Sequence, residues 1–331
     1  MTVIQFNDDV AYAVPDTALI KATIDQMLKQ NGELDFAFSG TSYLPSIRAK
    51  AQGLHTSLVV SGRKINEQLL AIGIATTKAL KSLNTYRAAM TTDMSEDDLE
   101  RNAYVRAQTI GTFKEAFTPA VQALQQQFKT LAGVAFDPAL TTTYKNDLQA
   151  ELTKLDEAFT SANQDIAAVE AARATLNDAM AVLEKDDFAG LAKDTLLTAE
   201  NLSAAGLAVP EVELVRIAVE QMKKTLEHVG EALNYITMNR QRDALIKQLG
   251  ELKARNTELA ADAKLITDKT TVIVSIHGLF ESFFIARDEY AKIDQSIKAF
   301  VNHLALASGP DYEDQLVAAA PSLIAYLNDA C

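Results

Sequence analysis

Residues 148–183 read LQAELTKLDEAFTSANQDIAAVEAARATLNDAMAVL. Apolar side chains in this stretch recur at alternating steps of four and three residues, the spacing of a coiled-coil seam. Only Arg173 interrupts the seam. The spacing therefore predicts one long amphipathic helix. Its seam residues are Leu148, Leu152, Leu155, Phe159, Ala162, Ile166, Val169, Leu176, Met180 and Leu183.

A second apolar stripe with the same spacing predicts a returning helix. It runs from Val212 to Leu259, with a change of phase at 240–242. The two stripes are expected to face each other, so residues 138–267 are predicted to form a long antiparallel coiled-coil hairpin. At about 1.5 Å per residue, each arm of about 50 residues would span roughly 75 Å.

The connector between the two stripes, residues 188–209, reads FAGLAKDTLLTAENLSAAGLAV. Connections between helices are usually short and polar, whereas this one is long, apolar and weakly charged. On a helical wheel it is amphipathic. Its polar arc carries Lys193, Asp194, Glu200 and Asn201, and Leu197 is the exception to the pattern. Its apolar arc consists of Phe188, Leu191, Leu196, Leu202, Ala205, Leu207 and Val209.

Two roles for the connector are open. It either packs against the bundle and closes the hairpin, or it is released into a bilayer, where a helix satisfies its own backbone groups. In a ring of subunits the apolar arc would meet lipid and the polar arc would line water. The predicted membrane-inserting residues are Phe188, Leu191, Leu196, Leu197, Leu202, Leu207 and Val209, and the predicted pore-lining residues are Lys193, Asp194, Glu200 and Asn201.

The remaining sequence, residues 1–137 and 268–331, is predicted to form the body of a helical bundle. Asp16 is the expected N-cap of a first helix that ends at Asn31-Gly32. Residues 33–43 are expected to be an ordered loop before a long helix that Pro45 begins.

A second N-cap is expected at Ser95, three residues before Asp98, in the pattern of a capping box. The following helix is expected to end near Gly133, and Asp137-Pro138 to open the first arm of the hairpin.

The strongest apolar run, residues 270–286, reads TTVIVSIHGLFESFFIA and is charged only at Glu281. It falls short of the roughly 20 apolar residues of a bilayer span, which favours a helix buried on all sides in the body. It nevertheless competes with residues 188–209 as the membrane-entering segment. His277, within the run, is expected to be a hydrogen-bonded core residue.

Composition excludes several classes of protein. Hydrophobic residues make up 48% of the 331 residues and charged residues 23%, as in soluble proteins with a substantial core. A formal net charge of −13 argues against nucleic-acid binding and against electrostatic docking on anionic lipid. Cys331 is the only cysteine. The N-terminal sequence has no recognisable signal peptide, so secretion would need another export route.

No motif of an enzyme is present, and we expect neither catalytic residues nor a metal nor a cofactor. The histidines His55, His228, His277 and His303 lie far apart and fit no zinc-binding pattern. The acidic group at 96–100 is explained by the start of a helix, where carboxylates interact favourably with the helix dipole.

A long antiparallel helical hairpin with the apolar segment 188–209 at its tip, no tryptophan and no enzyme motif together resemble the ClyA-type α-helical pore-forming toxins. Chain length and layout are most similar to the B components of the xenorhabdolysin-type binary cytotoxins, the XaxB/YaxB group. The resemblance implies an all-α, elongated bundle of long antiparallel helices. It also implies a secreted, haemolytic virulence factor.

According to the resemblance, the soluble subunit meets a second toxin component, the A subunit, on the bilayer of a target cell. The two components would form a hetero-oligomeric ring, and the hairpin tip at 188–209 would enter the membrane.

The alternative is a non-enzymatic coiled-coil scaffold that binds other helices. It accounts for the heptads and the acidity, but a scaffold would more naturally close its hairpin with a short polar turn.

Overall fold

The computed structural model describes residues 3–5, 11–90, 94–185, 195–225, 233–305 and 310–330. Nearly all of these residues are helical, which confirms the predicted all-α class. The helices within them are α1 (Thr17–Gly40), α2 (Pro45–Ala88), α3 (Glu96–Ala132), α4 (Pro138–Lys185), α5 (Ala199–Ala204), α6 (Val209–Thr225), α7 (Tyr235–Ala305) and α8 (Pro310–Ala330).

By their contacts the residues divide into two compact units. Unit 1 comprises residues 1–145 and 268–331, and unit 2 comprises residues 146–267. Helices α4 and α7 each belong partly to one unit and partly to the other. The functional division of the chain at residues 137 and 267 stays a prediction.

A short β-hairpin precedes the helices of unit 1. Strands β1 (Val3–Gln5) and β2 (Ala11–Ala13) pair antiparallel, with Ile4 opposite Tyr12. The Ser296 hydroxyl accepts a hydrogen bond from the Ala13 amide at 2.9 Å. The fully buried Tyr12 stacks on Tyr326 with ring centroids 5.1 Å apart. The second strand thus packs into the helical core.

Helix α1 begins where the sequence predicts but ends later. The Asp16 carboxylate accepts a hydrogen bond from the Leu19 amide at 2.8 Å, which confirms the N-cap. The predicted stop at Asn31-Gly32 and the predicted loop at 33–43 are wrong, because the helix continues to Gly40. Leu34 is fully buried and lies in the core of unit 1, so tertiary packing outweighs the low helix propensity of the glycine.

The predicted starts of α2, α3 and α4 are confirmed. Pro45 is the first residue of α2. The Ser95 hydroxyl accepts a hydrogen bond from the Asp98 amide at 3.2 Å at the start of α3. The Asp137 carboxylate accepts from the Ala139 amide at 2.9 Å, beside Pro138.

The apolar run at 270–286 lies in α7 and contributes much of the core of unit 1. It is not buried on all sides, since Val274 and Ile285 are more than 40% exposed. His277 is hydrogen-bonded as predicted, with its Nδ1 atom 3.3 Å from the Thr141 hydroxyl.

Helices α2, α3 and α8 of unit 1 meet at one buried carboxylate. Glu313 accepts hydrogen bonds from Arg87 at 2.7 Å and from Arg106 at 3.0 Å. Glu313 is only 7% exposed, and a buried carboxylate is stable when it is paired and hydrogen-bonded in this way. This cluster therefore ties three helices together.

Unit 2 contains an antiparallel helix pair. Along α4 and α7, Asn163 contacts Asn256 at 2.7 Å and Glu170 contacts Lys253 at 2.8 Å. Nearer the end of α4, Glu184 accepts from the Tyr235 hydroxyl at 2.5 Å. As residue numbers rise on α4 they fall on α7, so the predicted antiparallel pairing is confirmed.

The predicted returning arm is not one continuous helix. The stripe from Val212 to Met222 belongs to α6 (Val209–Thr225), Leu226 and Val229 lie outside the described residues, and Leu233 and Asn234, just before α7, are not helical. The Asn234 side chain accepts from the Thr237 amide at 2.9 Å and so caps α7. The predicted change of phase at 240–242 lies inside this helix.

Candidate functional site

The segment between α4 and α7 contributes to a hydrophobic core of its own in unit 2. The core takes in the end of α4, helices α5 and α6, and the beginning of α7. Three leucines of the predicted connector, Leu197, Leu202 and Leu207, are at most 8% exposed. We call these three residues the connector leucines.

A turn at Gly206 brings two of the connector leucines into this core. Gly206 has φ +91°, in the left-handed region that glycine adopts most readily. Its amide donates to the Ser203 carbonyl at 3.1 Å, and the Leu207 amide donates to the Leu202 carbonyl at 3.3 Å. This pair of hydrogen bonds is a Schellman motif, which usually carries an apolar contact between the residues that correspond to Leu202 and Leu207.

The third connector leucine is held by the backbone. The Leu197 amide donates to the Leu233 carbonyl at 2.9 Å, which links the stretch before α5 to the stretch before α7. The next residue, Thr198, is the N-cap of α5, and its hydroxyl accepts from the Asn201 amide at 3.3 Å.

The burial of the connector in this structure does not follow the helical wheel. Leu197 is buried although the wheel made it the exception, whereas Leu196 is 47% exposed and Val209 is 83% exposed. The wheel assumed one continuous helix, but residues 195–198 are not helical and the turn at Gly206 separates α5 from α6.

The predicted polar arc is described only in part. Glu200 and Asn201 are exposed on α5. The side-chain amide of Asn201 donates to the Leu196 carbonyl at 3.0 Å. The other predicted site residues lie outside the described residues; they are Phe188, Leu191, Lys193 and Asp194.

Sequence reasoning missed polar contacts on the two helices that flank α5. Glu184 raises the pKa of the Tyr235 hydroxyl, chiefly by accepting its hydrogen bond. On α6, Arg216 lies between Glu213 and Glu220, and its hydrogen bond lowers the pKa of the Glu213 carboxyl. The i,i+3 and i,i+4 spacing on α6 could have predicted these ion pairs, but the sequence held no comparable signal for Tyr235.

By hydropathy, one helix in the described part of the chain could cross a membrane. It is α7, which contains an 18-residue window of mean hydropathy 1.2, and half of that window is buried. A core helix passes the same test. Among the described residues, no group of three or more His, Cys, Asp or Glu side chains could hold a metal ion.

The all-α fold with its long antiparallel helices is shared by solved structures of PaxB and XaxB. The chain is similar to PaxB from Photorhabdus luminescens, with a TM-score of 0.75 and 14% identity over 97% of each chain. It is also similar to XaxB from Xenorhabdus nematophila, with a TM-score of 0.68 and 14% identity over 91% of this chain and 95% of that one.

A third similar structure is the XaxAB pore complex from Xenorhabdus nematophila. Its TM-score is 0.66 at 14% identity, and the match covers 94% of this chain and 97% of that one. The predicted resemblance in fold is therefore confirmed. No protein-family model matches the chain, and no curated protein matches it either.

Replacing Leu202 by alanine should destabilise the core of unit 2. We expect a loss of about 2–4 kcal/mol, because a fully buried leucine leaves a cavity when it is truncated. Hydrogen exchange of the amides in residues 199–222 should become correspondingly faster, whereas amides in α2 should be unaffected.

Leu196→Ala is the matched control, since Leu196 is 47% exposed. Its expected cost is below about 1 kcal/mol. Equal acceleration of exchange by both substitutions would contradict the different burial of the two leucines.

Proposed function

We propose that this chain is the B-type subunit of a two-component pore-forming cytotoxin and that its connector enters the target membrane. The observation that carries the proposal is the burial of the connector leucines in the core of unit 2, in a chain that has the fold of XaxB. A similar fold is present in a structure described as the XaxAB pore complex, which supports a partner component.

Burial of the connector leucines determines how much free energy their release from the core of unit 2 would cost. Burying one leucine side chain contributes about 1.5–3 kcal/mol, so the three contribute roughly 5–9 kcal/mol. Exposing them to water would therefore be costly. A bilayer keeps Leu202 and Leu207, which belong to the apolar arc, out of water, provided that the segment becomes helical and satisfies its own backbone groups.

In the proposed pore, residues 188–209 form one helix that is about 33 Å long, close to the thickness of a bilayer core. The hydrogen bond between Leu197 and Leu233 and the turn at Gly206 must both open. The apolar arc then faces lipid, while Lys193, Asp194, Glu200 and Asn201 face the lumen and Leu197 lies among them. The soluble form acts outside the cell that produces it, and a ring of both components forms on the target bilayer.

The proposed function is tested by dye release from liposomes and by lysis of erythrocytes. The chain is added alone, and then together with the protein encoded beside it. We expect release from the mixture. If a folded, helical chain releases nothing with any lipid, cell or partner, the coiled-coil scaffold becomes the better account.

Leu196→Asp should reduce lysis by about tenfold or more and Val209→Asp by less, because an aspartate costs about 2.5–3.5 kcal/mol near the centre of a bilayer and less towards its edge. Both side chains are exposed in the soluble form, so folding should be preserved. Leu28→Asp, at a leucine of α1 whose 61% exposure lies between those of Leu196 and Val209, is the matched control and should leave lysis unchanged. Full lysis by both connector variants would contradict the proposal that this segment enters the membrane.

The pore should conduct cations in preference to anions, because Asp194 and Glu200 would line it. Glu200→Gln should reduce the cation preference in single-channel recordings. Glu157→Gln, at an exposed position of α4, is the control and should not alter selectivity. Anion preference of the unmodified pore would contradict this placement of the carboxylates.

A further inference from the structure

Helix α2 is strongly basic, although the whole chain carries a formal net charge of −13. Its only acidic residue is Glu67. Such a concentration of one charge on one helix creates a local positive potential on an acidic protein. The basic residues of α2 are Arg48, Lys50, Arg63, Lys64, Lys78, Lys81 and Arg87.

Several of these charges are neutralised by neighbours. Arg48 pairs with Asp35, Arg63 with Glu67, and Arg87 with Glu313. By contrast, Lys78 and Lys81 are exposed and form no ion pair within the described part of the chain. The positive charge that is left without an internal partner therefore includes the C-terminal half of α2.

A groove lies beside these two lysines, between α2 and α8. Its volume is about 580 Å³, and its walls include Leu70, Ile74 and Leu327 as well as Lys78 and Lys81. Leu70 is 64% exposed and Ile74 is 59% exposed, and their i,i+4 spacing places these two apolar side chains next to each other on α2. The groove thus combines an apolar floor with a basic end.

The same face of α2 also borders a second groove, of about 590 Å³, between α2 and α3. Ile74 and Lys78 line both grooves, so they form a ridge between them. On the α3 side the half-buried Val105 extends the apolar surface. Leu70 to Lys81 covers about 17 Å of α2, or three helical turns.

We propose that the groove between α2 and α8 binds an amphipathic α-helix of a second protein, one that carries acidic side chains beside its apolar ones. Apolar residues at positions i, i+4 and i+7 of that helix would contact Leu70 and Ile74, as in other helix-in-groove complexes. Its carboxylates would pair with Lys78 and Lys81, which gives the recognition its charge specificity.

The shape and charge of the surface favour a helix of another protein over two other occupants. A lipid surface cannot follow a concave groove, and an anionic bilayer would be repelled by the net charge of the chain. A second copy that docked through the same face would place Lys78 and Lys81 against their own counterparts.

The proposal is tested with three stapled helical peptides and fluorescence anisotropy on the full chain. The first peptide has leucine at positions i, i+4, i+7 and i+11, flanked by glutamate. The second has lysine in place of glutamate, and the third has glutamine in place of leucine. We expect the first to bind at least about tenfold more tightly than either of the others, and salt to weaken it.

Reversing the charge of the two lysines tests directly whether they pair with the acidic peptide. Lys78→Glu with Lys81→Glu should weaken binding of the acidic peptide at least about tenfold and should favour the lysine peptide instead. Ile74→Asp should weaken binding of both. Lys50→Glu, at an exposed lysine near the other end of α2, is the control and should change neither.

Equal binding of all three peptides, binding of none, or no effect of the double reversal would overturn the proposal. If the wild-type chain binds phosphatidylserine vesicles and the double charge-reversal variant does not, this face binds lipid instead. If the wild-type chain self-associates in sedimentation experiments and the same variant does not, this face binds a second copy of the chain. Because none of these assays requires a pore, the result is independent of whether the chain is cytolytic.

Discussion

The three connector leucines must be kept out of water, and the architecture of unit 2 follows from this constraint. Leu202 and Leu207 are directed inward by the turn at Gly206, and Leu197 is held beside α7 by its backbone bond to Leu233. Helix α5 has only six residues, too few to be stable in isolation. Burial of the leucines, more than helix propensity, therefore accounts for the folding of this segment.

Unit 1 is stabilised by specific polar and close-packed contacts, which are typical of a rigid part of a protein. Glu313 joins two arginines from two other helices in a mostly buried cluster. The close approach of Tyr290 to Gly62 leaves no room for a side chain at that glycine. Such contacts specify one arrangement of helices, whereas the hydrophobic effect that keeps the connector leucines buried is non-directional and acts equally in another apolar environment.

The sequence was most informative where periodicity was long and uninterrupted. The heptads of α4 and the caps at Asp16 and Ser95 predicted the helices that are observed. Prediction failed where local signals were outweighed or where a regular helix was assumed. Packing of Leu34 carries α1 through Gly32. The connector breaks at Gly206, so a wheel drawn for one continuous helix does not describe the burial of Leu197 in this structure.

The central claim, that the connector must leave the core of unit 2 for a pore to form, is tested by a disulfide lock. A backbone hydrogen bond joins Leu197 to Leu233, so a disulfide between cysteines at these two positions would tie the connector to the stretch before α7. Leu197→Cys with Leu233→Cys, combined with Cys331→Ser, is assayed for dye release with the partner component, beside the Leu197→Cys single variant. The account predicts no release from the oxidised double variant and full recovery on reduction. Undiminished release from protein whose disulfide is verified by mass spectrometry would contradict it.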